Sequence, residues 1–173
     1  MDGVFAMTIQ MMPEVPLLMV VCTGNICRSP MAEAVLRQQL AEREIDAEVA
    51  SCGLAAPVGR RPHPYALQVN AQQGIAIPDD KHSIACASAL LKRAMLILVM
   101  DNQHRYDILK RYPFVSGKTF LLGHWLGEEI PDPLHSPVTA FEAVFEQVDQ
   151  GSRLWIDHLL EAEMLMASSA SYC

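Results

Sequence analysis

The chain has 173 residues, of which 51% are apolar, and a formal net charge of −7. A chain of this length can bury one sizeable core and does not call for a second one. The acidic balance, with no basic stripe to offset it, argues against a nucleic-acid partner, and no apolar run is long enough for insertion into a membrane.

The N-terminal residues and the cysteines indicate the compartment. Residues 1–10 have no basic start and no signal-peptide core, which favours a cytoplasmic location. Five cysteines, an odd number without regular spacing, fit a reducing environment better than a disulfide framework. We expect a flexible N-terminal extension over residues 1–15, one folded domain over 16–166 and a C-terminal tail over 167–173.

The first half of the chain predicts two strands and two helices. Residues 17–21 suit a buried strand, and the helix formers that follow predict a helix over about 29–44. Weak alternation over 47–51 indicates a second strand. A loop rich in proline then leads to a helix over about 65–73, which Gly74 terminates.

The second half continues the alternation of strands and helices. Asp101 is predicted to cap a helix that Pro113 ends. The predicted elements are a helix over 83–93, a buried strand over 95–100, a helix over 102–112, a short strand over 119–122 and a long helix from 138 to about 166. This order predicts a single α/β domain with a four-stranded parallel sheet and helices on both faces.

A loop suited to a phosphate-like dianion joins the first strand to the first helix. Gly24 and Asn25 tolerate backbone angles that let the loop curl, and Pro30 fits the first helical turn. Several backbone N–H groups and the positive end of a helix dipole therefore converge on one small space.

Cys22 and Arg28 add chemistry to this loop. A helix N-terminus beside a cation favours ionisation of a cysteine thiol, and a thiolate is a strong nucleophile. Arg28 offers a planar fork that can hold two oxygens of a phosphoryl group. Ser29 can give the sulfur a hydroxyl hydrogen bond. These residues predict nucleophilic attack on a bound anion.

Asp132 lies in a loop that follows another strand and can reach the same edge of the sheet. Pro131 and Pro133 stiffen its backbone, as suits a carboxylic acid held over a leaving group. From spacing alone, a rigid turn explains the Pro-Asp-Pro sequence equally well.

The sequence resembles the low-molecular-weight protein tyrosine phosphatases, above all the bacterial members that accompany exopolysaccharide tyrosine kinases. The likeness covers roughly residues 16–160, and its motifs are residues 22–33, 51–54, 100–101, 123–125 and 130–133. It implies the phosphotyrosine phosphatase I-like fold of flavodoxin-like topology, with residues 16–166 as the catalytic domain.

The resemblance also implies a reaction without metal or cofactor. Cys22 is then the nucleophile that forms a phosphocysteine, Arg28 holds the phosphoryl group, and Asp132 is the general acid. The remaining expected roles are phosphate binding by Thr23, Gly24, Asn25, Ile26, Cys27 and Ser29, support of the loop by Asn25, Ser51 and His82, and pocket walls from Leu54 and Leu134. Leu134 stands where the family commonly has a tyrosine.

The same resemblance gives Cys27 a possible role as disulfide partner of Cys22, although a small buried filler explains it nearly as well. The expected substrate is a phosphotyrosine protein, such as a tyrosine autokinase acting in exopolysaccharide or capsule production.

Two other functions fit the anion loop. An arsenate reductase uses a related loop and passes oxidation along further cysteines, for which the sequence offers only Cys52 and Cys86 in mid-chain, without a close second partner. A noncatalytic phosphotyrosine-binding module is disfavoured because nucleophile, arginine and acid are all present.

Overall fold

The computed structural model describes residues 14–168. Four parallel strands form one sheet in the order β2-β1-β3-β4, and β1 lies in the middle with its full length paired to β2. The strands are β1 (Leu17–Cys22), β2 (Glu48–Gly53), β3 (Leu96–Val99) and β4 (Thr119–Leu121). This sheet confirms the predicted fold class.

Helices cover both faces of the sheet. They are α1 (Arg28–Glu42), α2 (Pro64–Gln72), α3 (Ser88–Arg93), α4 (Asn102–Arg111) and α5 (Val138–Glu161), with 3₁₀ helices at Pro113–Lys118 and His124–Leu126. One apolar layer packs the sheet against α1, α2 and α5. A smaller layer packs the opposite face against α3, α4 and the first 3₁₀ helix.

The alternation of side chains along β1 decides which layer each residue enters. Leu18, Val20 and Cys22 belong to the layer under α1 and α5. Met19 and Val21 belong to the layer under α3 and α4. The last residue of β1 therefore faces the side on which α1 begins.

The predicted helix over residues 83–93 is wrong in its first half, because only Ser88–Arg93 is helical. Residues 84–86 are extended instead and form a parallel bridge in which Ala85 is the partner of Gly53. The backbone hydrogen bonds of this bridge join Gly53 N to Ile84 O at 2.9 Å and Cys86 N to Gly53 O at 3.0 Å. Pairing with the end of β2 thus overrides the local helical pattern.

The end of α5 and an additional 3₁₀ helix also differ from the sequence pattern. Helix α5 ends at Glu161 rather than near residue 166, and Glu163 has a left-handed φ of 57°. Beyond it Ala167 forms an antiparallel bridge with Ile45. Pro113 ends α4 as predicted and also begins the 3₁₀ helix, which the sequence analysis missed.

The predicted N-terminal extension and C-terminal tail include residues for which no structure is described. The predicted extension lies outside the described residues up to residue 13, and the predicted tail does so from residue 169. Within residues 14–168, none of the helices combines the length and the apolar character needed to cross a membrane.

Candidate active site

The loop of residues 22–28 lies at the carboxyl edge of the sheet, between β1 and α1. Three of its carbonyl groups are bound from outside: Cys22 O accepts from Leu54 N, Thr23 O from Ala55 N, and Ile26 O from His63 N, at 2.7–3.0 Å. In a trans peptide the next N–H points away from the carbonyl. The amides that follow these carbonyls therefore turn away from the surrounding chain and towards the interior of the loop.

The N-terminus of α1 adds to this cradle. Its N-cap is Cys27, and within residues 14–168 no side chain caps the helix there. Uncapped amides at the start of a helix are donors for an anion, and the helix dipole favours negative charge at the same end.

Cys22 points its sulfur into this cradle. Its Sγ lies 2.9 Å from Oγ of Ser29, and the backbone N–H of Asn25 donates to it at 3.3 Å. Although only 3% of the residue is exposed, it lines an open cavity of about 250 Å³. Both contacts suit a sulfur that carries negative charge.

Asn25 supports the loop through its side chain. Its Nδ2 donates to Oγ of Ser29 and to Oγ of Ser51, each at 2.8 Å, and its Oδ1 accepts from Ile84 N at 2.9 Å. The residue is fully buried and has a φ of 55°, which asparagine tolerates better than most residues. The structure thus brings Ser51 to the loop, and it adds Ile84, which the sequence analysis missed.

Arg28 is held by three groups. Its NH1 lies 3.2 Å from Oδ2 of Asp101 and donates to the main-chain oxygen of Ile130 at 2.9 Å, while NH2 lies 3.6 Å from Oδ2 of Asp132. The arginine is almost fully buried. Its guanidinium is therefore fixed in orientation before any ligand binds.

Asp132 reaches the same cavity from the loop that precedes α5. Its side chain is 49% exposed, and its Oδ1 accepts from the backbone N–H of Leu134 at 3.0 Å. This local hydrogen bond is typical of an Asx turn. It orients the carboxyl and leaves Oδ2 facing Arg28.

The walls of the cavity differ in part from the sequence prediction. Leu134 lines it as expected, together with Ile26, Pro57 and the exposed Arg60. Leu54 does not line it, because this side chain packs against the apolar layer under α3 and α4. The sequence analysis missed Pro57 and Arg60, which lie in a loop without periodicity.

His82 does not reach the loop that it was expected to support. Its side chain is exposed, with Nδ1 2.7 Å from the main-chain oxygen of Asp80. The preceding residue points inwards instead, and Nζ of Lys81 lies 2.6 Å from Oε2 of Glu33. Because Oγ of Ser51 donates to the same carboxylate oxygen at 2.5 Å, the supporting network continues from Asn25 through Ser51 to Glu33 and Lys81.

His104 is a further buried group beside the loop. Its Nε2 lies 2.8 Å from Oγ1 of Thr23, and Nδ1 lies 3.4 Å from Oδ1 of Asp101. Burial lowers the pKa of His104, although the nearby carboxylate of Asp101 opposes the shift. A signal was available in the sequence: the residue lies in the first turn of the helix that Asp101 was predicted to cap, just after a predicted buried strand.

Cys27 differs sharply from Cys22 in its surroundings. Burial, together with the negative charge of Asp132, raises the pKa of the Cys27 thiol to about 12. At neutral pH this thiol is therefore protonated, and it does not compete with Cys22 for attack on an electrophile.

Cys52 and Cys86 are closer to each other than the sequence analysis supposed. Their Sγ atoms lie 2.7 Å apart, so each has the close partner that the spacing did not reveal. Both belong to the layer under α3 and α4, whereas Cys22 belongs to the layer on the other face of the sheet. The pair is thus separated from the anion loop by the sheet.

Taken together, a sulfur nucleophile, a buried guanidinium and a carboxyl around one cradle of amides define an enzyme site for transfer of a phosphoryl-like group. Residues 17–165 match the family described as low molecular weight phosphotyrosine protein phosphatase. The chain belongs to this family.

Individual relatives show how similar the chain is to known members. It is 39% identical over 142 residues to a probable low molecular weight protein-tyrosine-phosphatase EpsP of Ralstonia nicotianae. The aligned region covers 82% of this chain and 94% of that protein. Among solved structures, Vibrio vulnificus Wzb in complex with benzylphosphonate has a TM-score of 0.78 at 33% identity. The superposition covers 84% of this chain and 99% of the Vibrio vulnificus chain. YwlE arginine phosphatase from Geobacillus stearothermophilus also has a TM-score of 0.78, at 27% identity. This match covers 86% of this chain and 96% of the Geobacillus stearothermophilus chain.

Proposed function

We propose that this chain hydrolyses phosphotyrosine in proteins by transferring the phosphoryl group to Cys22 and then to water. The observation that carries the proposal is the convergence of three groups on one cavity. Cys22, Arg28 and Asp132 all line it, and the carboxyl of Asp132 lies 3.6 Å from the guanidinium of Arg28. Family membership supports the same reaction.

In the first step the Cys22 thiolate attacks phosphorus while the bond from phosphorus to the phenolic oxygen breaks. Arg28 and the inward amides of the loop hold the outer phosphoryl oxygens and stabilise the charge on them in the transition state. Asp132, in its protonated form, donates a proton to the departing phenolate oxygen. The products of this step are a tyrosine hydroxyl and a phosphocysteine at position 22.

In the second step water replaces the phenol. Asp132, now a carboxylate, takes a proton from the water as its oxygen attacks phosphorus, and the bond from phosphorus to sulfur breaks. Inorganic phosphate leaves and the Cys22 thiolate is restored. The hydroxyl of Ser29, 2.9 Å from the sulfur, stabilises that leaving thiolate.

The walls of the cavity favour an aromatic phosphate ester. Ile26, Pro57 and Leu134 offer apolar surface to a phenyl ring, whereas the guanidinium of a phosphoarginine would lose hydration against them. The Vibrio vulnificus relative forms a complex with benzylphosphonate, a phosphonate on a benzyl group. Arg60 at the rim offers a cation to acidic residues beside the phosphotyrosine.

We extend the proposal to a bacterial tyrosine autokinase, or its substrates, in exopolysaccharide or capsule production in the cytoplasm. The similarity of the sequence to the relative named EpsP supports this assignment. A Cys22→Ser protein that binds phosphotyrosine without turnover is the reagent to test it: it should retain an autophosphorylated tyrosine kinase on a column, and a dephosphorylated kinase should pass through.

The reaction is tested by hydrolysis of p-nitrophenyl phosphate and of a phosphotyrosine peptide. Cys22→Ser should abolish turnover and keep phosphate binding. Asp132→Asn should reduce kcat about 10²- to 10⁴-fold for the peptide and less for p-nitrophenyl phosphate, whose phenolate leaves more easily. Asp79→Asn, in an exposed turn, is the matched control and should behave as wild type. Undiminished turnover by Cys22→Ser would refute the proposal.

Two further substrates separate this function from its rivals. A phosphoarginine peptide tests the activity by which the Geobacillus stearothermophilus relative, an arginine phosphatase, is named. Thioredoxin-linked reduction of arsenate tests the reductase. A kcat/KM for either that exceeded the value for the phosphotyrosine peptide would overturn the substrate assignment while leaving Cys22 as the nucleophile.

A further inference from the structure

Two cysteines outside the candidate active site lie in contact with each other. The Sγ atoms of Cys52 and Cys86 are 2.7 Å apart, although the residues are separated by 34 positions in the sequence. Cys52 is fully buried at the end of β2, and Cys86 is half-buried. The S–S bond of a disulfide is about 2.04 Å long, so a bond requires the two sulfurs to approach by less than about 1 Å.

The backbone already holds the two cysteines in place. They lie on either side of the parallel bridge between Gly53 and Ala85, which two hydrogen bonds of 2.9 and 3.0 Å close. Because side chains alternate along extended chains, residues one position away from a bridged pair share the opposite side. The bridge therefore holds both cysteine side chains on the same side of the paired segments, where their sulfurs meet.

The two thiols differ in reactivity. The hydrogen bond between the two sulfurs lowers the pKa of the Cys86 thiol against the effect of burial, and the charge of Arg111 adds to the lowering. The same hydrogen bond, together with burial, raises the pKa of Cys52. Cys86 is also the more accessible of the two. The half-buried cysteine is therefore the one that meets an oxidant first.

We propose that Cys52 and Cys86 form a redox modification site, which a low-molecular-weight disulfide oxidises to an intramolecular disulfide. The Cys86 thiolate attacks one sulfur of the oxidant, breaks its S–S bond and releases one thiolate, which leaves a mixed disulfide on Cys86. Cys52 then loses its proton and attacks the Cys86 sulfur, which expels the second thiolate. Two protein thiols are oxidised, and the oxidant takes two electrons and two protons to become two thiols.

This bond ties β2 to the segment that supports the anion loop. Ser51 and Ile84, which lie close to the two cysteines in the chain, are the residues whose groups bind the side chain of Asn25. A disulfide closes a long loop of the chain and restricts the unfolded state, so the oxidised protein resists unfolding more strongly.

Mass spectrometry tests the proposal. The protein is incubated with oxidised glutathione, quenched in acid, alkylated with N-ethylmaleimide under denaturing conditions and digested without reduction. We expect a cross-linked pair of peptides that contains Cys52 and Cys86, and the peptide masses separate it from bonds made by Cys22, Cys27 or Cys173. In Cys52→Ala the reaction should stop at a glutathione adduct on Cys86. Alkylation of both Cys52 and Cys86 in the oxidised wild type would overturn the proposal.

A stability measurement tests the consequence independently. In a Cys22→Ser background a bond between Cys22 and Cys27 cannot form, so the effect of the second pair is isolated. Oxidation should raise the urea midpoint of Cys22→Ser and leave that of Cys22→Ser/Cys86→Ser unchanged. An equal shift in both proteins, or a shift in neither, would contradict the bond.

Discussion

The guanidinium of Arg28 lies 3.2 Å from Oδ2 of Asp101, while Oδ1 of the same carboxylate accepts from His104 N at 2.8 Å and caps α4. One side chain thus begins a helix and fixes the arginine of the anion loop. The helix cap was predictable, because it follows from the local sequence. The ion pair was not, because it depends on β1 and β3 being neighbours in the sheet.

Two substitutions of Asp101 separate its two contacts. Asparagine also caps helices well, so Asp101→Asn should keep the stability of α4 and weaken the charged contact with Arg28. We expect kcat/KM to fall about 10-fold to 100-fold, which corresponds to the loss of one hydrogen bond between charged groups. Asp101→Ala should show a similar loss of activity and a further loss of about 1 kcal/mol in the free energy of unfolding. Full activity of Asp101→Asn would show that the ion pair has no part in catalysis.

Gly53 tests how closely β2 must approach the anion loop. A Cβ at this position would lie 2.6 Å from Thr23 O and 3.1 Å from Cβ of Asn25. Gly53→Ala should therefore displace the loop, reduce kcat strongly and destabilise the protein by about 1–3 kcal/mol. Gly117→Ala is the matched control, because a Cβ there meets no atom within 4 Å. Equal activity of the two variants would contradict the close approach.

The grouping of Cys22, Arg28 and Ser29 was predictable from the sequence because all three lie within one strand-loop-helix segment. The prolines beside Asp132 fitted a rigid turn equally well, and the family resemblance favoured an acid there. The supporting contacts are not local. Asn25 binds Ser51 and Ile84, which are 26 and 59 residues away. The hydrophobic periodicity of a sequence does not reveal a contact between positions so far apart.

Lys81, and not the predicted His82, joins the supporting network. This shows that the sequence also does not determine which of two adjacent polar residues turns inwards. Two polar neighbours in an extended segment point in opposite directions, so one turns inwards and the other outwards. His82 was expected from the family resemblance, which gives a position in the sequence and not the direction of a side chain. The structure places Lys81 against Glu33 and leaves His82 exposed.

Lys81 should contribute to stability more than its place near the surface suggests. Its Nζ lies 2.6 Å from the buried carboxylate of Glu33, whose other cation is the half-exposed Arg37 at 2.7 Å. Lys81→Met leaves the buried charge with one cation fewer, and we expect a loss of about 2 kcal/mol in the free energy of unfolding in urea. Because Ser51 donates to the same carboxylate, kcat should also fall by several-fold, in keeping with a disturbed loop.

An exposed ion pair provides the control for Lys81. Arg93 lies 2.7 Å from Glu48 at the surface, where solvent screens the interaction. Arg93→Met should change neither the urea midpoint nor kcat measurably. If Lys81→Met had no effect on either quantity, the contact with Glu33 would be energetically irrelevant and the network from Asn25 would end at Glu33.

His104 should make stability depend on pH. Burial lowers its pKa in the folded protein below the usual 6.5, so the unfolded chain binds a proton below pH 6.5 that the folded chain does not. Its contribution to stability is therefore present above pH 6.5 and is lost as the pH falls towards the folded pKa. His104→Gln keeps a nitrogen near Oγ1 of Thr23 and removes the titration. In urea unfolding at about pH 8 and about pH 5, wild type should lose more stability on acidification than His104→Gln. Equal losses would mean that His104 is protonated to the same extent in the folded and unfolded states.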